Sequence, residues 1–304
     1  MLADPGPHQR VRPVTQPPGA PESGRAEPTG TQEPDSVIEE VEDPTRSPGS
    51  TRTSGQPTAH GESSAGTSAT TADAGHRGWS GPGGPPTTVI LVRHGVTPHT
   101  KHKRFSGGLA SSNPGLSDEG REQVSAAAAW LKPIAADIDA VIASPVRRTL
   151  ESAEIIAAEL GHEIEVEPGF AEMEFGTWDG LTFSEVAEKY QDDLDAWLGS
   201  LDVAAGGGES FREVQVRVLA GLDRLLDSHA GQTVVVVSHV TPIKTLVSHV
   251  VGAPLEAVYR MELTPASVTV LSFFAGGPAG DEPMGSMRLY NARPGADVLP
   301  PSRS

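Results

Sequence analysis

The chain has 304 residues, 37% of them hydrophobic, with a formal net charge of −17 and no cysteine. The lack of cysteine excludes disulfides, thiolate metal sites and cysteine nucleophiles, and the acidic balance argues against nucleic acid or an anionic membrane as partner. No uncharged stretch approaches the roughly 18 residues of a membrane span and no early apolar run suits a signal peptide, so a cytoplasmic protein is expected.

Composition changes near position 87. Residues 1–86 hold 14 Pro and 13 Gly, and Leu2, Val11, Val14, Val37, Ile38 and Val41 are their whole complement of Leu, Ile, Val and Phe. So little apolar surface cannot offset roughly 1–2 kcal/mol of backbone entropy per residue, and a disordered tail is expected there. Its one acidic-hydrophobic segment, Ser36–Asp43, reads as a solvated stretch of linker. One domain is expected over 87–293, followed by a disordered C-terminus at 294–304. Beyond the tail the chain carries 17 basic and 29 acidic side chains, a net of −12. An anionic substrate would therefore need a local cluster of cations.

Thr87–Val92 is a short apolar run rich in β-branched residues and reads as a buried strand. Ser117 followed by Asp118 and Glu119 predicts a capped helix running through Trp130. Ile138–Ala143 is a second strand, and Ser144-Pro145 predicts the start of a helix that has Pro145 at its first position and is closed by Gly161. A brief strand at 164–166 and helices over 183–198 and 209–228 follow. Thr233–Ser238, with four consecutive valines, fits a central parallel strand covered on both faces. A helix over Pro242–Val251, a strand over Ser267–Phe273 and an edge strand over Ser286–Tyr290 complete the pattern. The alternation predicts a three-layer α/β/α sandwich around a mostly parallel sheet, with any site beyond the carboxyl ends of the strands.

Three of those ends carry reactive polar residues. Val92 is followed by Arg93 and His94, Ala143 by Ser144, Arg147 and Arg148, and Val237 by Ser238 and His239. Parallel strands bring these ends to one edge, where two histidines and at least two arginines make a cationic pocket of phosphate size that needs no metal. Arginine suits phosphate because its planar guanidinium donates paired hydrogen bonds and keeps its charge. His99 and His102 have a spacing that could ligate zinc, but Lys101, Lys103 and Arg104 beside them favour a basic loop facing substrate.

The same residues resemble the histidine phosphatase, or phosphoglycerate mutase-like, superfamily. The signatures are Leu91–Thr97 (LVRHGVT), Arg104–Gly107 (RFSG), Leu116–Gln123, Ser144–Ala153, Glu172–Gly180, Gly207–Ser210 and Val237–His239. The resemblance spans 88–291 and implies that fold. It implies His94 as the nucleophile that becomes phosphorylated, Arg93, Arg148 and His239 as the phosphate cradle, and Glu172 as proton donor, with Glu174 the alternative carboxylate. Arg147 falls on the outer face of its helix. Thr97, Phe105, Ser106, Gly107 and Val240 are implied as further substrate contacts, although Thr100 stands where many members have Asn and Val240 where Gly is usual.

The resemblance implies a phosphomonoesterase of acid phosphatase type, without cofactor or metal, acting on a small phosphorylated substrate. Activity should improve below neutral pH, because the acid must carry its proton in the first step. The similarity extends to the acid phosphatase domain of bifunctional ribonuclease H/acid phosphatase proteins and to α-ribazole phosphatases, through Val234–Lys244, Val258–Arg260 and Leu289–Asn291. The tail has no core to support a nuclease. Mutases share the histidine and arginines, but the separation of 67 positions from Glu172 to His239 is compact and fits the phosphatase branch. Phosphoglycerate mutase-type transfer, a phosphoprotein phosphatase and a non-catalytic phosphate-binding module are the alternatives. Substrate identity and oligomeric state stay open.

Overall fold

The computed structural model describes residues 84–109, 112–276 and 283–295. The predicted tail, save Gly84–Pro86, and the stretch from 296 onward lie outside the described residues. The strands are β1 (Thr87–Arg93), β2 (Ala140–Ala143), β3 (Ile164–Val166), β4 (Thr233–Ser238), β5 (Val268–Phe274) and β6 (Met284–Ala292). The α-helices are α1 (Pro98–Lys101), α2 (Asp118–Leu131), α3 (Arg147–Leu160), α4 (Phe183–Lys189), α5 (Gln191–Gly199), α6 (Phe211–Ser228) and α7 (Val240–Val250).

The six strands form one sheet in the order β3-β2-β4-β1-β5-β6. The first four in that order run parallel, and β5 and β6 extend the sheet with antiparallel pairings. Side chains alternate across it as the pleat requires. Val89 and Leu91 of β1 and Val234 and Val236 of β4 join the core beneath α6 and α7. Ile90, Val92, Val235 and Val237 join the opposite core beneath α2 and α3. The four valines of β4 are fully buried because both faces are covered and both edges are paired. The expected α/β sandwich is thus borne out.

Local chemistry accounts for most element boundaries. Ser117 caps α2 by accepting from the Gly120 N–H, and Gly161 closes α3 in the left-handed conformation at φ 81°. Two expectations need correction. Pro145 is not the first helical residue, since α3 starts at Arg147. The Ser144 hydroxyl bonds His239 and Thr149, so the chain turns through 144–146 before the helix starts. The helix expected over 183–198 is two helices, because Tyr190 leaves helical geometry at φ −139°. Each of the two strongest caps is a reciprocal pair, Thr182 with Glu185 and Ser210 with Glu213, and Ser210 sets the start of α6 at Phe211 rather than at Glu209.

Candidate active site

The strand order puts the carboxyl ends of β2, β4 and β1 side by side. His94 continues β1 beyond its last residue, its N–H donating to Ser238 O at 3.0 Å and its carbonyl accepting from Ala266 N at 3.2 Å. Its backbone is thus held between the two neighbouring strands. The next residue must be small: a Cβ on Gly95 would sit 2.3 Å from the Gly120 carbonyl oxygen, and one on Gly120 would sit 2.1 Å from Val96 O. Just after His94, Gly95 and Val96 therefore press backbone to backbone against Gly120 in the first turn of α2, an approach that only glycine allows.

Two contacts define the His94 ring. Nδ1 lies 2.7 Å from the Gly95 carbonyl, which can only accept, so Nδ1 carries the proton. Nε2 receives the Arg148 Nε–H at 3.2 Å and so bears the lone pair. Both partners specify the same neutral tautomer. Burial, helped by the charges of Arg148 and Arg93, holds this ring well below the usual histidine range. His239, fully buried, lies edge-on to it with ring centroids 5.2 Å apart. Burial and then Arg148 keep His239 neutral as well. Its Nε2 is 2.7 Å from Ser144 Oγ, so the end of β2 orients the histidine at the end of β4.

Arg148 is almost fully buried and spans the site. Its Nη2 donates to the carbonyls of Ser106 and Gly107 at 3.1 and 3.0 Å, while Nη1 has no partner among the described residues. Arg93 donates from Nη1 to the Leu263 carbonyl, and its Nε is similarly unpartnered. Burial pushes each guanidinium down to about 10, so both remain charged at neutral pH. Glu172, 6% exposed, is the carboxylate facing these cations. One of its oxygens accepts from its neighbour's N–H, Met173 N, at 2.9 Å.

A cavity of about 370 Å³ opens over this cluster, walled by Arg93, His94, Arg148 and Glu172 with Phe105, Ser106 and Val240 around them. The structure therefore gathers Arg93, His94, Arg148, Glu172 and His239, and brings Phe105, Ser106 and Val240 to the cavity wall. Thr97 and Gly107 are placed otherwise. Thr97 is fully buried and caps α1 through its bond from Thr100 N, and Gly107 anchors its loop by donating to Asp179 Oδ1 at 2.8 Å. Glu174 accepts from Leu109 N at 2.8 Å and ties down the same loop. Arg147 is exposed and pairs with Glu151. His99 and His102 stand in α1 and at its end, and no group of three or more His, Asp or Glu among the described residues is placed to hold a metal ion.

One structural residue escaped sequence reasoning. Arg217 of α6 donates to the carbonyls of Gly169, Ala171 and Glu172 and pairs with Glu209, which in turn accepts from Glu174 N. It clamps the loop that presents Glu172. The Gly207–Ser210 motif thereby acquires a purpose: Glu209 fixes Arg217 and Ser210 caps the helix carrying it.

A strand-end histidine pair, a half-buried and a buried guanidinium and one carboxylate over a parallel sheet make a cationic site suited to a phosphoryl group. The family model for the histidine phosphatase superfamily (branch 1) matches residues 89–282, and the chain belongs to that superfamily. It is 40% identical over 214 residues to a bifunctional protein of Mycobacterium tuberculosis, a match covering 70% of this chain and 56% of that one. The chain thus spans about half the length of that curated relative. It is 33% identical over 184 residues to phosphoserine phosphatase 1 of Hydrogenobacter thermophilus, covering 60% of this chain and 85% of the relative. Among solved structures, a mycobacterial glucosyl-3-phosphoglycerate phosphatase is similar at 25% identity and a TM-score of 0.59, covering 68% of this chain and 99% of the other. Among the described residues no helix is long and apolar enough to cross a membrane.

Proposed function

We propose that this chain is a phosphomonoesterase of acid phosphatase type that hydrolyses a small phosphate ester through a phosphohistidine at His94, with arginine rather than metal neutralising the phosphoryl charge. The observation that carries this reading is the neutral tautomer of His94, whose Nε2 lone pair, now accepting the Arg148 N–H, needs no loss of a proton to attack once an incoming phosphoryl group takes over that N–H. Nε2 attacks phosphorus, forming the N–P bond as the ester P–O bond breaks. Arg93, Arg148 and His239 stabilise the phosphoryl oxygens, since phosphoryl transfer depends above all on positioning and charge. Glu172 gives its proton to the departing oxygen, then takes one from the water that cleaves the N–P bond and restores the histidine. Glu172 is favoured over Glu174 in this role because it lines the cavity while Glu174 holds a loop. A relative named as a phosphoserine phosphatase and a structure of a glucosyl-3-phosphoglycerate phosphatase support hydrolysis, while relatives named as phosphoglycerate mutases keep phosphoryl transfer as the alternative.

The test is phosphate release from p-nitrophenyl phosphate and from alkyl phosphates in EDTA, with an acid-labile phosphoenzyme trapped by rapid quench. His94→Ala is expected to abolish both the release and the trapped species. Release that needs added metal, release that persists in His94→Ala, or isomerisation of 3-phosphoglycerate in place of its hydrolysis would overturn the proposal.

A further inference from the structure

Next to the reactive cavity lies a second one of about 260 Å³, and Phe105, Phe175, Val240 and Thr241 line both. Its far wall is aromatic. Trp197 stacks on Phe211 at 5.4 Å, and Tyr259 meets Phe211 edge-on at 5.1 Å. One charged residue lines this cavity, Lys244, half-buried on α7 one turn beyond Val240. Its ammonium has no hydrogen-bond or ion-pair partner among the described residues. The groups whose charge reaches it are Arg93, Glu172 and Glu262, and burial lowers its proton affinity. A half-buried, unpaired ammonium among aromatic rings is costly unless something anionic meets it. Flat apolar walls with a few placed polar groups are the hallmark of a pocket for an organic ligand.

We propose that this second cavity is the leaving-group subsite, and that it selects phosphate monoesters whose alcohol portion carries a flat unsaturated ring and, at the far end from the phosphate, a carboxylate or other anionic group that Lys244 binds. The inference rests on the hydrolytic reading of the site, because the phosphoryl group must occupy the first cavity for the alcohol portion to reach the second. Val240 at the junction leaves the passage apolar, so a polyhydroxylated leaving group gains little there.

Binding separates this inference from the chemistry. Non-hydrolysable benzylphosphonate, 4-carboxybenzylphosphonate and a glycerol-like hydroxyalkylphosphonate are titrated calorimetrically into the wild-type chain, Lys244→Met and Lys244→Arg. A charge-assisted hydrogen bond corresponds to about a tenfold preference for the carboxylated ring over the plain ring in the wild type, and the plain ring should bind more tightly than the hydroxyalkyl compound. Lys244→Met should abolish the carboxylate preference and Lys244→Arg should retain it. Equal binding of the two rings by the wild type, a preference surviving in Lys244→Met, or an equal loss of all three phosphonates in Lys244→Met would sink the subsite; the last result would assign the lysine to the phosphate cradle instead. Failure of the hydrolytic reading has a different signature, since it appears in turnover rather than binding: phosphate release that needs metal or survives in His94→Ala, or isomerisation in place of hydrolysis.

Discussion

His94 and His239 are bases whose affinity for protons has been lowered by burial and by the guanidinium charge of Arg148. For the proposed reaction the sign is favourable: a depressed value keeps the His94 ring neutral as the medium turns acidic. The acid limb of kcat/KM, followed across the pH range, is expected well below 6.5, the ordinary histidine value; a limb at 6.5 would show His94 to be unperturbed. An acid optimum thus agrees with the proposed role of Glu172 as proton donor and does not compete with the neutral His94 ring. Arginine at position 148 is equally particular, because its fork contacts His94, Ser106 and Gly107 at once. Arg148→Lys keeps a charge but loses the fork, and kcat should fall by about 10²–10³ in steady-state assays, the usual cost of removing a donor to developing charge.

At the scale of elements, α6 does more than cover the sheet. Through Arg217 it fixes three positions of the Glu172 loop, at Gly169, Ala171 and Glu172. Arg217 is a positioning residue, and its removal should be felt most where the leaving oxygen most needs a proton. Arg217→Met is expected to slow hydrolysis of an alkyl phosphate about tenfold more than that of p-nitrophenyl phosphate, whose leaving group departs with little acid assistance; equal slowing of the two would assign Arg217 to folding alone. Elements such as β1, β4 and α2 were legible because runs of β-branched residues and a Ser-Asp-Glu cap are local signals. Arg217 was not, since it reads as one more polar position on an amphipathic helix and its partners are backbone carbonyls 45–48 residues away. Lys244 was hidden in the same way inside α7. The break at Tyr190 left no Gly or Pro to mark it, and Pro145 gave a helix-start signal that the bonds of Ser144 override.

For the molecule as a whole, the site concentrates positive charge at the heart of a strongly acidic chain. Arg93, half-buried, and Arg148, buried, lie near each other with proton affinities depressed to about 10, so folding must bear the cost of desolvating both cations. An anion that joins them should repay part of it. Inorganic phosphate at about a hundred times its dissociation constant is expected to raise the Tm by roughly 5–10 °C, and Arg148→Met should show no such rise in the same thermal scans. The histidines add a pH term. Their folded-state values are depressed, so their contribution to stability is present above the unfolded value near 6.5 and declines as pH falls below it, and His239→Gln should lose less Tm than wild type between pH 7 and pH 5.

The strand order also governs when the site can come into being. β1 and β2 each bring part of it, yet they never touch, because β4 lies between them. A chain emerging from the ribosome can pair β2 with β3 early, while β1 with its Arg93 and His94 must wait for a partner encoded some 140 residues later. Until β4 is made the sheet has no strand to join β1 to β2, so the arrangement of Arg93 and His94 against the end of β2 is expected to become fixed only once β4 pairs with both.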